Sequence, residues 1–404
     1  MDYGGTPSID RPELTRPRLG RLFLAVLLDL IGFGIILPLL PFFASDFGAS
    51  GFEVGLLVTV YSVIQLVMAP MWGRLSDRVG RKPILIVGLV GSAASYVLFA
   101  TAGSLSLLFL SRIVGGVGGS TVPVAQAYIA DLTPPAKRAG SMGLIGAAFG
   151  LGFVIGPALG GILSTISYAA AGFTAAGICL VNAVVAAALL PESRHHARRA
   201  TPTPRFDLPA ALRQAADSTQ VRRVLGVYLF LTMAFSALQP TLSLLADARF
   251  FMDAQQAGYL FALLGLVSVV MQGMLVRRLV PRVGERALLR ASTVPFAIGL
   301  LLVGVSANQA GLLLGLVLLG IGYGGAIPSV LGLLSRTADP ERQGAALGLG
   351  QSVGSSARIL GPTVAGGLFD VGVSLPYVVA AGLVVLGLAA TAGLSQPRDP
   401  PSLV

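Results

Sequence analysis

The chain has 404 residues, of which 54% are hydrophobic and only 11% are charged. Soluble domains carry about 25% charged residues, so the composition excludes an ordinary soluble fold. The formal net charge of +10 would suggest a nucleic-acid partner if the protein were soluble. A single cysteine, Cys179, excludes an intramolecular disulfide framework, and two adjacent histidines do not form a metal site.

Twelve stretches of the sequence are apolar over about 20 residues, the length that spans the hydrocarbon core of a bilayer. They predict an all-α integral membrane protein with twelve transmembrane helices. Their approximate bounds are 19–43, 54–72, 84–102, 105–130, 139–164, 170–190, 222–246, 255–279, 287–306, 309–335, 342–369 and 374–394.

The basic residues alternate from loop to loop. Of the 28 Lys and Arg, 25 lie in the termini and in the loops of one side, and the loops of the opposite side hold only Arg249. The other two, Arg112 and Arg358, lie inside predicted helices. By the positive-inside rule, both termini are predicted to be cytoplasmic. The basic charge therefore reports orientation, and we expect no nucleic-acid partner.

The two halves of the sequence repeat each other. At an offset of 205 residues Gly156-Pro157 matches Gly361-Pro362, and at 204 residues Arg78-Val79-Gly80 matches Arg282-Val283-Gly284. The repeat predicts a six-helix bundle over 1–190, a cytoplasmic linker over 191–221 and a second six-helix bundle over 222–404. Parallel repeats of this kind are typical of secondary transporters that work by alternating access.

Four motifs then resemble one family. The loop after segment 2, Gly73-Arg-Leu-Ser-Asp77-Arg78-Val-Gly80-Arg81-Lys82, is close to G-x-L-x-D-R-x-G-R-K. Segment 1 contains Asp29-Leu-Ile-Gly32-Phe-Gly34-Ile-Ile-Leu-Pro38, and segment 4 has Arg112 before four glycines. Segment 5 carries Gly143, Gly152, Gly156-Pro157 and Gly160-Gly161. The chain resembles the major facilitator superfamily, and within it the twelve-helix drug:proton antiporter branch that includes the tetracycline exporters.

The resemblance implies a conformational lock at the cytoplasmic end of the first half, formed by Gly73, Asp77, Arg81 and Asp131. The alternative is a solvated loop, in which exposed ion pairs contribute only about 0 to 1 kcal/mol. The second copy has Pro281 in place of Asp77 and Glu285 in place of Arg81. We therefore expect any lock to be asymmetric.

The glycines of segment 5 form a second predicted feature. Gly152, Gly156 and Gly160 are four residues apart, so they lie on one helix face and allow a neighbouring backbone to approach closely. Packing of one helix on another would explain them. The family's antiporter motif, which also includes Gly143, Pro157 and Gly161, favours a seam that in addition seals the cavity.

Asp29 is the one acidic residue placed deep in a predicted helix, about 15 Å from the cytoplasmic end. A carboxylate there costs about 2.5 to 3.5 kcal/mol on insertion scales, so it should face a cavity or a partner. We predict that Asp29 carries protons and that Arg112, which the family associates with proton coupling, assists it. The alternative is a structural ion pair between the two.

Seven further side chains are predicted to line the substrate cavity. Arg358 shares one helix face with Gln351 and Ser355, because they are seven and three residues apart. Single polar residues in other segments are additional candidates, although each would also suit a packing network. These are Tyr61, Gln65, Gln239 and Tyr323.

The sequence thus predicts a proton-coupled exporter of small amphipathic compounds, monomeric, surrounded by lipid in a bacterial inner membrane. One alternative is a proton-coupled or facilitated carrier for a particular metabolite. Another is a membrane receptor or sensor without transport. No catalytic constellation or nucleotide-binding loop is present in the sequence, so we predict neither an enzyme nor a cofactor.

Overall fold

The structure is a computed structural model that describes residues 16–119, 121–133, 138–192, 218–337 and 343–394. These residues are almost all helical, and none of them forms a strand. By length and composition, ten of the described spans could cross a membrane. The span Ala254–Val305 holds two crossings, because Gly284 breaks it with φ 77° and ψ 159°. With the 29-residue helix Gln343–Val371 this gives the predicted twelve crossings.

The helices fall into a first half that ends at Leu189 and a second half that begins at Thr219. In the first half they are α1 Arg16–Ile36, α2 Leu39–Ser45, α3 Gly51–Val79, α4 Arg81–Ala100, α5 Leu105–Gly118, α6 Thr121–Leu132, α7 Arg138–Ser164 and α8 Tyr168–Leu189. In the second half they are α9 Thr219–Phe250, α10 Ala254–Val270, α11 Val276–Val305, α12 Gln309–Thr337, α13 Gln343–Val371 and α14 Leu375–Ala390. A π-turn, Met271–Leu275, joins α10 to α11.

Two crossings are interrupted, and in each the sequence explains why. Pro38 cannot donate a backbone hydrogen bond, and the first crossing breaks there into α1 and α2. The fourth crossing breaks at Gly119, after a glycine-rich run that disfavours helix. The freed carbonyls of Val117 and Gly119 accept hydrogen bonds from Trp72 Nε1 at 2.7 Å and Gln65 Nε2 at 2.6 Å.

Polar N-caps start four of the crossings that begin on the side with few basic residues. Each capping side chain accepts a hydrogen bond from the backbone N–H three residues later, which satisfies a donor that the helix leaves unpaired. The caps are Ser50 for α3, Ser104 for α5, Ser167 for α8 and Asp253 for α10. The short loops of this side therefore have clear signals in the sequence.

Among the described residues the two halves meet chiefly along two helix pairs, α3 with α13 and α7 with α10. In the first pair the backbone of Gly51 touches that of Gly366, and Gly55 lies against the carbonyl of Pro362. In the second, a Cβ on Gly161 would lie 2.8 Å from the carbonyl oxygen of Gln255. Only glycine permits such backbone approach, and the contacts lie towards the ends that carry Ser50 and Asp253.

Asp370, at the end of α13, completes the seam between α3 and α13. Its Oδ1 accepts from Gly51 N at 2.6 Å and its Oδ2 from Phe52 N at 2.8 Å, so the second half caps a helix of the first. Ser50 and Glu53 form a capping box within α3 itself. The N-terminus of α3 thus has a composite cap that both halves supply.

The predicted domain boundaries at 190 and 222 fall at the ends of α8 and near the start of α9. Residues 193–217, which make up most of the predicted linker 191–221, lie outside the described residues. The division into two bundles and a linker stays a prediction.

Candidate functional site

A cavity of about 610 Å³ lies between the two halves. Both halves contribute to its walls, and six of the seven side chains predicted to line it do so. They are Tyr61, Gln65, Gln239, Gln351, Ser355 and Arg358. Asp29 and Arg112 line the same cavity, so the candidate proton-coupling and substrate residues share one compartment.

Asp29, on α1, is the only acidic residue that is buried among those the structure describes, with 8% of its surface exposed. The hydroxyls of Ser92 and Thr121 lie beside its carboxylate. These neighbours belong to α4 and α6, so three helices of the first half surround the acid. A carboxylate at the wall of a cavity can take up and release a proton.

Arg112, on α5, is even more buried, with 4% of its surface exposed. Its Nε donates to Ser111 Oγ at 3.3 Å, and its guanidinium lies over the Phe99 ring, 5.9 Å from the centroid. Within the described part of the chain its Nη2 has no hydrogen-bond partner. It forms no salt bridge with Asp29, so the structure does not contain the ion pair considered as an alternative.

Gln65 and Tyr61 both pack on the break between α5 and α6. Gln65 faces the cavity, but its amide is held by the Gly119 carbonyl. The Tyr61 ring lies against Gly119, where an added Cβ would collide with its hydroxyl, and it makes an ordinary contact with Gly115. A Cβ on Gly116 would collide with Ile64 and with the backbone carbonyl of Tyr61. Gly119 therefore makes room for the Tyr61 ring, and Gly116 makes room for the backbone of α3.

In the second half, the predicted polar stripe of α13 is present. Arg358 Nη2 donates to Ser355 Oγ at 3.1 Å, and both line the cavity with Gln351. Gln239 reaches the cavity from α9, close to Pro240. The spacing of seven and three residues was sufficient to place these α13 side chains on one face.

Tyr323 is a correction, because it is not among the residues that line the cavity. Its ring stacks on Phe235 with 3.6 Å between centroids and meets Phe296 edge to face. Phe296 belongs to the hydrophobic core of the second half, and Phe235 packs against that core. Aromatic packing holds Tyr323 behind the cavity wall.

Several lining residues were missed. Gln126 on α6 is polar within an apolar helix, the same signal that identified Gln65, and could have been found. Tyr96 and Tyr228 also line the cavity together with Phe33 and Phe153. Aromatic residues in apolar helices give no signal that separates a cavity wall from the core.

The glycine stripe of α7 faces α1. A Cβ on Gly152 would lie 2.7 Å from Leu30 Cβ, one on Gly156 would lie 2.6 Å from Gly34 Cα, and Gly160 contacts the carbonyl of Ile35. The neighbouring face of α7, which carries Gly161 and the backbone carbonyl of Pro157, packs on α10 of the other half, whereas the Pro157 ring touches Gly34 of α1. Gly143 contacts nothing within 4 Å of an added Cβ, so its lack of a side chain is not required in this conformation.

The predicted charge cluster is assembled within the first half. Arg81 Nη2 lies 2.8 Å from Asp77 Oδ1, and its Nε donates to Asp131 Oδ2 at 2.8 Å. Glu192 accepts from the backbone of Arg81 at 2.9 Å and so caps α4. The Gly73 carbonyl accepts a hydrogen bond from Ser76 Oγ, and a Cβ added to Gly73 would have no atom within 4 Å. The locking role of the cluster stays a prediction.

The second half contains a counterpart with reversed charges. Glu285 Oε1 lies 3.0 Å from Arg336 Nε. Glu285 occupies the position that matches Arg81, so this copy of the motif keeps an ion pair although its residues differ. Among the described residues, no group of three His, Cys, Asp or Glu side chains could hold a metal ion.

Comparison with known proteins places the chain in a family. Residues 22–281 and 224–403 match the family described as Major Facilitator Superfamily. Tetracycline resistance protein, class C, of Escherichia coli is 31% identical over 372 residues, which cover 90% of this chain and 94% of that protein. Multidrug resistance protein 2 of Bacillus subtilis (strain 168) is 30% identical over 384 residues, which cover 92% and 93%.

Solved structures agree with this placement. The crystal structure of the human organic anion transporter MFSD10 (TETRAN) superimposes with a TM-score of 0.71 at 29% identity, and the match covers 93% of this chain and 99% of that one. The matched lengths include both halves and the cavity between them. The chain therefore belongs to the major facilitator superfamily and is a multi-pass membrane transporter, not an enzyme.

Proposed function

We propose that the protein exports small amphipathic compounds in exchange for protons. The observation that carries this proposal is Asp29, the one buried acid in the described part of the chain, at the wall of a cavity that both halves form. A group that binds and releases a proton within the substrate compartment can couple the two fluxes. The relatives named for tetracycline and multidrug resistance support export rather than uptake.

The orientation is part of the proposal. We propose that the ends that carry Asp77 and Glu285 lie in the cytoplasm of a bacterial cell, with both termini on that side, because the loops there are basic. The seams between α3 and α13 and between α7 and α10 would then close the outer side, and the conformation would be inward-facing. We propose a monomer in the inner membrane, because one chain already encloses the cavity.

Cysteine labelling tests the orientation. With Cys179 replaced by Ala, a cysteine at Asp253 should react with an impermeant maleimide added outside intact cells, whereas one at Asp207 should not. The same two variants should show the opposite pattern in everted vesicles. Reaction at Asp207 but not at Asp253 in intact cells would overturn the orientation.

Exchange of Asp29 tests the coupling. A drug-sensitive host that expresses the chain first identifies an exported compound, and its efflux is then followed in everted vesicles. Asp29→Asn keeps the size but cannot carry a proton, so gradient-driven efflux should be lost while substrate binding persists. Asp253→Asn is the matched control, because Asn caps a helix as well as Asp does. Full proton-driven efflux by Asp29→Asn would refute the proposal.

A further inference from the structure

The hydrogen bonding of Arg112 is incomplete for a buried cation. A guanidinium has five N–H donors in a rigid fork. Nε donates to Ser111 Oγ, and the guanidinium lies over the Phe99 ring. Nη2 has no partner among the described residues, although only 4% of the surface of Arg112 is exposed. A buried donor of a charged group without an acceptor is costly. Arg112 lines the cavity, so an anion that enters there would satisfy this donor once the guanidinium turns towards it.

Asp29 is not that acceptor. Its carboxylate lies near Ser92 and Thr121, and it forms no salt bridge with Arg112. Asp29 and Arg112 therefore lie at separate positions on the same cavity wall.

Arg358 adds a second cation from the other half of the protein. It is partly buried, lines the cavity, and makes one hydrogen bond to Ser355. Among the described residues that line the cavity there are one carboxylate and two guanidinium groups, so their summed charge is positive whether Asp29 is ionised or protonated. In a site of low dielectric this charge favours anions over cations.

The remaining wall suits an aromatic or amphipathic body. Phe33, Tyr61, Phe149, Phe153 and Tyr228 line the cavity. Rings at such positions stack on flat apolar molecules. A ligand with an aromatic body and an acidic group would use both parts of the site.

We infer that the cavity binds organic anions and that Arg112 is the residue that holds their carboxylate or sulfonate group, with Arg358 as a second contact from the opposite half. The inference rests on the proposed function, because it names the substrate class of the same cavity. An arginine fork binds a carboxylate through two parallel hydrogen bonds, which a lysine or an amide cannot reproduce. Binding between the two halves would also connect the anion to the rearrangement that transport requires.

The test compares two dyes that share a xanthene ring system, the anionic fluorescein and a cationic rhodamine methyl ester. Their binding to purified protein in detergent is measured by fluorescence anisotropy, with protein-free micelles as the blank. We expect fluorescein to bind more tightly, and Arg112→Gln to raise its Kd by about ten- to a hundredfold. Arg112→Lys should lie in between. Arg278→Gln removes a charge from an exposed site outside the cavity and should change nothing.

This measurement needs no gradient, so it separates the inference from the export proposal. Equal fluorescein affinity in wild type and Arg112→Gln, or tighter binding of the rhodamine ester, would overturn the inference and leave proton-driven export untouched. Arg112-dependent binding without gradient-driven efflux would support the inference and contradict the export proposal. If Arg112→Gln does not fold, Arg112→Lys decides, because unchanged fluorescein affinity there would show that the fork is not used.

Discussion

The composite cap of α3 predicts that Asp370 holds the two halves together at the end that carries Ser50. Asp370→Ala removes both acceptors from Gly51 N and Phe52 N. Hydrogen bonds to a charged group contribute about 1.5 to 3 kcal/mol, but Asp370 is exposed and water replaces it when the seam opens. We therefore expect a loss of about 1 kcal/mol, close to the usual value of an N-cap.

A bias of this size changes the ratio of the seam-closed to the seam-open conformation about fivefold, since 1.4 kcal/mol corresponds to a factor of ten. The measurement uses a cysteine at Val58, which lines the cavity behind the seam. In reconstituted vesicles an impermeant maleimide on the side of Ser50 reaches it only when the seam opens. Its labelling rate should rise about fivefold in Asp370→Ala, in proportion to the open population. The buried native cysteine, Cys179, is replaced by Ala throughout.

The control variant is Glu53→Ala. Glu53 caps the same helix end, but from within the first half, where it accepts from Ser50 N at 2.8 Å. Its loss should lower thermal stability and leave the labelling rate at Val58 unchanged. Equal acceleration in both variants would mean that fraying of α3, not the contact across the halves, exposes Val58, and the reasoning would be refuted.

Three further predictions concern single contacts. Gly55→Ala should open the same seam, because a Cβ there collides with the carbonyl of Pro362, and labelling at Val58 reports it. Glu285→Arg should lower the thermal midpoint by leaving Arg336 against a second cation, and adding Arg336→Glu should restore most of it. The pKa of Asp46 is raised from its usual 3.8, mainly by partial burial and secondly by the negative charge of Asp247. The ionised form is therefore disfavoured in the folded protein, so Asp46→Asn should stabilise it at neutral pH and lose that advantage below pH 3.8, as thermal melts across pH would show.

The number of crossings was predictable because the bilayer sets the length of each apolar stretch. The exact helix ends were not all predictable. Segment 4 reads as one continuous helix, whereas the structure breaks it at Gly119. The break depends on Gln65 and Trp72, which donate to its free carbonyls from another crossing. Hydropathy does not report such contacts between helices.

The candidate site shows the same limit. Gln351, Ser355 and Arg358 line the cavity together because one helix fixes their relation. Tyr61 and Tyr323 look alike in sequence, yet one lines the cavity and the other stacks on Phe235. Only the relative placement of helices separates them.

The contribution of Asp370 is of the same kind. It lies just beyond the predicted end of segment 11 at residue 369, where an acidic residue looks like an ordinary loop residue. Its partners, Gly51 and Phe52, are backbone groups more than 300 residues away in sequence, with separations of 319 and 318. A backbone donor has no side-chain signature, so no pattern in the sequence could have paired them.

The second copy of the loop motif retains an ion pair, between Glu285 and Arg336, in which the signs of the charges are reversed. Gly80 and Gly284 both have positive φ, and each begins a helix whose first charged residue pairs with the end of a later helix, Asp131 for Arg81 and Arg336 for Glu285. Asp131 and Arg336 correspond at the offset of 205 residues, so they occupy equivalent places in the two halves. Where the first half carries Asp131, the second half therefore carries Arg336, so an approach of these two ends during transport would bring opposite charges together.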